Sequence, residues 1–167
     1  MLEPWLTVHI RELATNQEDA MKTLWQAADK QELLTRLSRL NADAPPQWGK
    51  MNCGQMLAHL ADGMRMTLGD LPCKAKGGPL RYPPLKQLII YWLPWPQGAP
   101  TAPELISRPS DGIEQETAAV RTLLERFAQS AGKPQWPEHP AFGKLSAKDW
   151  GVLAYRHIDH HLRQFGV

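Results

Sequence analysis

A helical fold is indicated most clearly by the last segment of the chain, Ser146-Ala-Lys-Asp-Trp-Gly-Val-Leu-Ala-Tyr-Arg-His-Ile-Asp-His-His-Leu-Arg-Gln-Phe-Gly166. Ser146 and Asp149 have the spacing of a capping box, in which each side chain bonds the backbone N–H of the other residue. Good helix formers follow, and Gly166 stands where helices commonly end. The segment therefore predicts a final helix of about five turns.

Three histidines lie on this predicted helix. At about 100° per residue, His157 and His161 point into an apolar stripe, and His160 lies near its edge. The stripe also contains Trp150, Ala154, Ile158 and Phe165. A buried imidazole needs a partner for its ring nitrogens. A metal ion would satisfy both rings, because side chains at i and i+4 converge, but backbone carbonyls or carboxylates would also serve. A metal site needs a third ligand from elsewhere.

Composition limits the classes of function. At 167 residues the chain can form one domain with a core, and its 43% hydrophobic and 22% charged content is typical of soluble proteins. The formal charge is only +2, with no block of like charges, which disfavours a nucleic-acid partner. The longest apolar run, residues 88–93, is far below the roughly 20 residues of a membrane span.

The two cysteines, Cys53 and Cys73, are too few for a disulfide framework, and the start of the chain has no signal-peptide pattern. We therefore expect a cytoplasmic protein with reduced thiols. Residues 1–20 have no clear periodicity, so we interpret them as an N-terminal extension before a domain at 21–167.

Further helices are predicted by capping-box spacings and apolar periodicity. They cover residues 29–40, 52–68 and 111–131, with a short helix at 85–93. The predicted caps are Asp29 with Glu32, Asn52 with Gln55, and Asp111 with Glu114. No strand alternation is found, and no GxGxxG, P-loop, CxxC, GxSxG or HExxH motif. The prediction is an all-α, up-and-down four-helix bundle, a fold that places metal sites between facing helices.

Two connections and one further histidine each allow more than one interpretation. The stretch 69–109 is a Pro-rich crossover with an apolar middle, for which a flap over the core is favoured above a pocket wall, a lid or a dimer contact. His139 in the connection before the last helix is expected to shape a turn, with approach to the site as the alternative. His59, one turn from Asp62, lies at the edge of its helix's apolar arc; the angle alone favours a half-exposed side chain over one that reaches a neighbouring helix.

Several segments together resemble the DinB-like superfamily of bacterial four-helix proteins, and within it the DUF1569 branch. They are Trp48-Gly-Lys-Met-Asn-Cys-Gly-Gln-Met-Leu-Ala-His-Leu-Ala-Asp, Leu93-Pro-Trp-Pro-Gln-Gly-Ala-Pro-Thr-Ala-Pro-Glu, His139-Pro-Ala-Phe-Gly-Lys-Leu, and Asp149-Trp-Gly through His161-Leu-Arg-Gln-Phe-Gly. The resemblance implies a divalent metal, usually nickel, zinc or a similar ion, held by His59, His157 and His161. Only the resemblance makes His59 a ligand. Some relatives in the superfamily are thiol transferases, hydrolases or isomerases, but no motif for a thiol cofactor is found here.

The leading hypothesis is a three-histidine metal site with an open coordination position, used for hydrolysis or thiol transfer on a small molecule. Asp62 or His160 would orient ligand rings or accept a proton. One rival is a binding protein, in one arrangement a homodimer, that holds metal or an apolar molecule without chemistry. Another is that no metal binds and the histidines serve folding.

Overall fold

The computed structural model describes residues 21–98, 101–106 and 108–167, and these are helical with no strand among them. The helices are α1 (Ala27–Leu37), α2 (Cys53–Leu68), α3 (Leu85–Gln87), α4 (Ile113–Gln129) and α5 (Ala147–Gln164). A π-helical turn, Leu88–Trp92, continues α3, and 3-10 turns lie at Pro79–Arg81 and Pro103–Leu105. The all-α prediction is confirmed. The predicted N-terminal extension, residues 1–20, lies outside the described residues.

The capping boxes of α2 and α5 are both present, as predicted. Asn52 accepts from the Gln55 N–H at 2.9 Å, and Gln55 Oε1 accepts from the Asn52 N–H at 2.9 Å. Ser146 and Asp149 make the same reciprocal pair at the start of α5. These bonds satisfy backbone donors that have no partner inside the helix. The helix that carries His59 and the helix that carries the other two histidines therefore begin at residues fixed by local sequence.

The other two predicted capping boxes are wrong. Helix α1 begins after Gln26, and Asp29 lies within its first turn, where its carboxylate accepts from the Thr23 N–H at 2.9 Å. Helix α4 begins after Gly112, whose φ of 109° belongs to the left-handed side of backbone space, and no side chain caps it. An acid spaced three residues from another acid occurs on many helix surfaces, so the spacing alone does not fix a helix start. Both helices also end two or three residues before the predicted limits.

Helix α2 lies at the centre of the packing. All its residues except Gln55 and Arg65 are buried. It packs against α4 and α5, and α1 packs against the same two helices. The fully buried side chains of this core include Leu33, Met56, Leu57, Leu60, Leu124, Phe127, Trp150, Ile158 and Leu162. A histidine on α2 is therefore close to α5 because both helices contribute to one apolar core.

The Pro-rich crossover has two roles. Ile90 is fully buried, as expected of a flap over the core, but Trp92 is 74% exposed. Leu93, Trp95 and Leu105 line a cavity that opens toward α5. The pocket-wall alternative is thus present beside the favoured core role. Among the described residues, no helix combines the length and the apolar character that a membrane span requires.

Candidate metal centre

His59 of α2 and the pair His157 and His161 of α5 meet at one point, and we call them the three-histidine cluster. Their ring centroids are 4.9 Å (59 to 157), 4.8 Å (59 to 161) and 5.0 Å (157 to 161) apart. One nitrogen from each ring lies within 4.8 Å of the others, close enough for the three to hold a metal ion. The half-exposed position that the helix angle favoured for His59 is wrong, since its side chain is only 4% exposed.

The close approach of α2 and α5 depends on Gly63, one turn after His59. A Cβ atom at this position would lie 3.1 Å from Cε1 of His157, tighter than ordinary van der Waals contact. The absence of a side chain at Gly63 leaves the space that the His157 ring occupies. The sequence therefore provides both the imidazoles and the gap between the helices that lets them meet.

Two of the rings have their tautomers set by neighbouring carbonyl oxygens. Nδ1 of His59 lies 3.1 Å from the Leu105 carbonyl oxygen, and Nδ1 of His161 lies 2.8 Å from Oε1 of Gln164. A carbonyl oxygen can only accept, so both Nδ1 atoms carry the proton and both Nε2 atoms keep a lone pair. Gln164 is itself oriented, because its amide nitrogen donates to the Trp48 carbonyl oxygen at 2.6 Å.

Burial keeps these rings neutral. Desolvation lowers the pKa of His59, and it lowers the pKa of His161 to about 3, with the neighbouring His59 ring adding to the effect. Neutral imidazoles with free Nε2 lone pairs are the form that binds metal. The two rings are therefore in the protonation state that a metal site requires at neutral pH.

His157 differs from the other two rings. Its Nε2 is 2.9 Å from Nε2 of His59, which has no proton, so His157 donates this hydrogen bond without metal. A metal ion held by both rings would require His157 to release this proton. The His157 side chain is half-buried, but the protein atoms around its ring still remove most of its hydration. This desolvation, reinforced by the other histidines, holds the pKa of His157 well below its usual range.

A cavity of about 580 Å³ opens onto the three-histidine cluster. Apolar and aromatic side chains form most of its wall, among them Leu93, Trp95, Phe142, Trp150 and Leu153. Cavities of this size and character usually hold small molecules, with a few polar groups that fix orientation. The cluster is thus accessible to a ligand from one side.

A family model described as "Protein of unknown function (DUF1569)" matches residues 20–166, which include all of the cluster and the cavity wall. The chain belongs to the DUF1569 family. No curated protein and no solved structure matches the chain. The resemblance to the DUF1569 family is therefore confirmed, while the family description assigns no reaction.

Asp62 does not orient any ligand ring, contrary to the sequence-based suggestion. Its buried carboxylate accepts from Arg65 at 2.6 Å and from Nε of Arg108 at 3.0 and 3.1 Å. Arg108 also pairs with Glu116, which is 2% exposed and whose pKa is lowered chiefly by that bond. Asp62 therefore ties α2 to the crossover and to α4, and it influences His59 only through its charge.

His160 and His139 lie near the cluster without joining it. The His160 ring lies in the cavity wall, edge-on to Trp48 and to His161 with ring centroids 5.5 and 5.2 Å apart, and it forms no hydrogen bond to a described residue. It therefore contacts the ring of a proposed ligand without fixing its tautomer. Nδ1 of His139 accepts the backbone N–H groups of Ala141 and Phe142 at 3.1 and 3.2 Å. The prediction that His139 shapes its turn is confirmed.

Sequence reasoning missed the groups that orient the rings. Gln164 follows His161 by three residues on the same helix, a spacing that brings side chains together, so it could have been found. The Leu105 carbonyl and Arg108 could not, because they belong to the crossover and approach α2 only through tertiary packing.

Proposed function

We propose that this protein binds a divalent transition-metal ion through His59, His157 and His161 and that it acts on a small molecule held in the adjoining cavity. The observation that carries the proposal is the convergence of three neutral imidazoles, two of them buried and with Nδ1 bonded to carbonyl oxygens, and the third half-buried. Three imidazoles suit nickel or zinc, and three protein ligands leave a coordination position open. The metal's identity is part of the proposal.

A divalent ion with neutral ligands keeps most of its charge and would lower the pKa of a coordinated water or thiol to near neutrality. The chain's own residues have supporting roles. Leu105 and Gln164 hold two rings in place, and the apolar wall limits access of bulk water. His160 in the same wall is our candidate proton acceptor. Metal-dependent hydrolysis and thiol transfer are the reaction classes that fit these roles.

The finer fold assignment is also a proposal: a DinB-like four-helix bundle made of α1, α2, α4 and α5. It is supported by the packing of α1 and α2 against the same two helices, as in a ring of four. The domain limits of 21–167, the cytoplasmic location, the homodimer and the lack of a nucleic-acid partner remain predictions.

A second candidate function is non-catalytic binding of metal or of a small molecule. One observation favours it: no carboxylate is found among the described residues that line the cavity. General acid–base catalysis there would depend on the histidines or on Lys50 and Lys76. The two candidates differ in turnover and share the metal site.

Metal analysis of the purified protein tests the site. We expect about one equivalent of nickel or zinc in the wild type, a loss of most of it in His59→Ala and in His157→Ala, and retention in the matched control His160→Asn. Far-UV circular dichroism checks that each variant is folded. Substoichiometric metal in the wild type that the variants leave unchanged would overturn the proposal.

Turnover separates the two candidate functions once the metal is established. The loaded protein would be incubated with glutathione-type thiols and a halogenated aromatic, and separately with ester and amide panels. Turnover that disappears in His157→Ala supports an enzyme. Blank panels with a full metal site support the binding protein.

A further inference from the structure

The charge of the cavity wall has one sign. Lys50 and Lys76 line the cavity from two separate loops, and both are exposed at its edge. Apart from them, the titratable groups among the described lining residues are histidines. No Asp or Glu of the described residues contributes to this wall. The two lysines at the edge of the cavity attract anions.

Two acidic side chains on the helices that carry the cluster are paired with arginines. Asp62 is bound by Arg65 and Arg108. Asp159, on the outer side of α5, is bound by Arg36 at 2.7 Å and by Arg163 at 2.9 Å. Lys76 is partly balanced by Glu104, which lies outside the cavity wall. The pKa of Glu104 is lowered first by backbone hydrogen bonds, including one from the Lys74 N–H, and also by the charges of Lys74 and Lys76. The described residues of the wall itself include no acid, so the wall keeps a net positive charge.

The rest of the wall suits an aromatic or bulky apolar body. Trp95 is held as a rigid face, because its indole N–H donates to the Ile89 carbonyl at 3.1 Å and the Arg156 guanidinium lies 5.5 Å from its ring centroid. Phe142 and Trp150 contribute further aromatic surface. Aromatic walls provide large contact areas at a low cost in side-chain entropy.

We propose that the cavity selects small organic anions: molecules with an apolar, aromatic-sized body and a negatively charged group such as a carboxylate. Lys50 and Lys76 draw in the charge, and the aromatic wall takes the body. The inference rests on the proposed function only in part: a bound metal ion would add to the attraction between the cavity and an anion. The share that comes from the two lysines is independent of the metal.

Two fluorescent probes that share the same rings test this inference on metal-free protein. The probes are 1-anilinonaphthalene-8-sulfonate, an anion, and N-phenyl-1-naphthylamine, which lacks the sulfonate. The neutral probe is the more apolar, so an uncharged pocket would favour it. We expect the anion to bind at least about fivefold more tightly than the neutral probe. The measurement is made at low ionic strength, because salt screens exposed charges.

The double variant Lys50→Gln/Lys76→Gln is expected to weaken binding of the anionic probe by roughly fivefold and to leave the neutral probe unchanged. The matched control Lys144→Gln/Lys148→Gln removes the same charge from positions outside the cavity wall and should leave both affinities unchanged. Trp92→Ser removes the most exposed aromatic side chain; binding that persists in this variant excludes an external site there.

The inference would be overturned if the two probes bound with equal affinity, or if neither bound. It would also be overturned if the Lys50/Lys76 variant kept the preference for the anion, or if Trp92→Ser abolished binding. Because these measurements are made without metal, they separate from the proposed function. If the protein prefers the anion but binds no metal, the inference about anion selectivity is supported and the proposed metal site is rejected. A full metal site without anion preference would do the reverse.

Discussion

At the scale of single residues, the geometry of the site depends on the side chain that Gly63 lacks. His157 occupies the space beside Gly63 and reaches Nε2 of His59 across the gap between two helices. Metal affinity falls sharply when a ligand moves by a fraction of an ångström, because coordination distances are narrowly defined. Gly63, which has no functional group, is thus part of the geometry of the proposed metal site.

The variant Gly63→Ala should weaken metal binding by roughly tenfold or more, because the new Cβ pushes the His157 ring away. The fold should survive, since alanine is the better helix former by about 0.5–1 kcal/mol. Competition titration with a metal indicator measures the affinity. The control Gly54→Ala lies on the same helix against the rotatable Ser110 hydroxyl, and equal losses in the two variants would contradict the explanation.

His139 provides a pH-dependent contribution at the residue scale. Burial lowers its pKa from 6.5 to about 4, while its Nδ1 accepts two backbone N–H groups. The unfolded chain therefore takes up this proton first as the pH falls. The stability is fully present above about pH 6.5, and it is lost progressively as the pH falls toward 4.

The variant His139→Asn should make the free energy of unfolding less dependent on pH. Its Oδ1 can still accept from the backbone but does not titrate, so the drop between pH 7 and pH 5 should shrink by about 1–2 kcal/mol. Urea denaturation of metal-free protein at the two pH values measures this. An unchanged drop would show that the His139 ring does not carry the effect.

At the scale of helices, the same sequence pattern has different consequences at different sites. The spacing of a capping residue and an acid or amide three residues later occurs at four helices, but the reciprocal bonds form only at α2 and α5. These are the two helices that carry the three-histidine cluster. Asp111, which has the same spacing at α4, has a side chain that is 78% exposed and caps nothing.

Replacing the real caps should cost stability, whereas replacing the apparent one should not. Ser146→Ala and Asn52→Ala should each lower the free energy of unfolding by about 1 kcal/mol, since each leaves a backbone donor without its partner. Asp111→Ala should change it by less than about 0.5 kcal/mol. Chemical denaturation measures all three, and a cost at Asp111 equal to that at Ser146 would contradict the assignment.

At the scale of the whole molecule, one arginine joins three parts of the chain. Arg108 of the crossover binds Asp62 of α2 and Glu116 of α4, and both carboxylates are buried. Its attachment fixes the end of the segment whose Leu105 carbonyl holds His59. The network thus connects the packing of the helices to the orientation of a proposed ligand.

The variant Arg108→Ala should lower the free energy of unfolding by about 2–4 kcal/mol, because it leaves the buried Glu116 carboxylate without a counter-charge and removes one of the two arginines that pair with Asp62. Arg126→Ala is the matched control: its pair with Asp70 is exposed on both sides, so the loss should stay below about 1 kcal/mol. Thermal and urea unfolding of the two variants make the comparison. Similar losses would mean that burial of the Arg108 network contributes little.

Local sequence was sufficient to predict the helices, the caps of α2 and α5, and the placing of His157 and His161 on one inner face. Hydrogen bonds within a helical turn and the helical period depend on neighbours only a few residues away, so they can be read along the chain. His59 was suggested as a ligand only by the family resemblance. Its position on the helix alone favoured a half-exposed side chain, whereas the side chain is buried.

Tertiary packing was needed for everything that joins distant segments. His59 and His157 are 98 residues apart, and His59 and the Leu105 carbonyl are 46 apart. Packing of the helices and the crossover decides which Asp caps a helix. It also decides that Asp62 pairs with Arg108 instead of a histidine, and it forms the cavity with its two lysines. Such contacts follow from the burial of a common apolar core, whose geometry is a property of the whole chain and of no single segment.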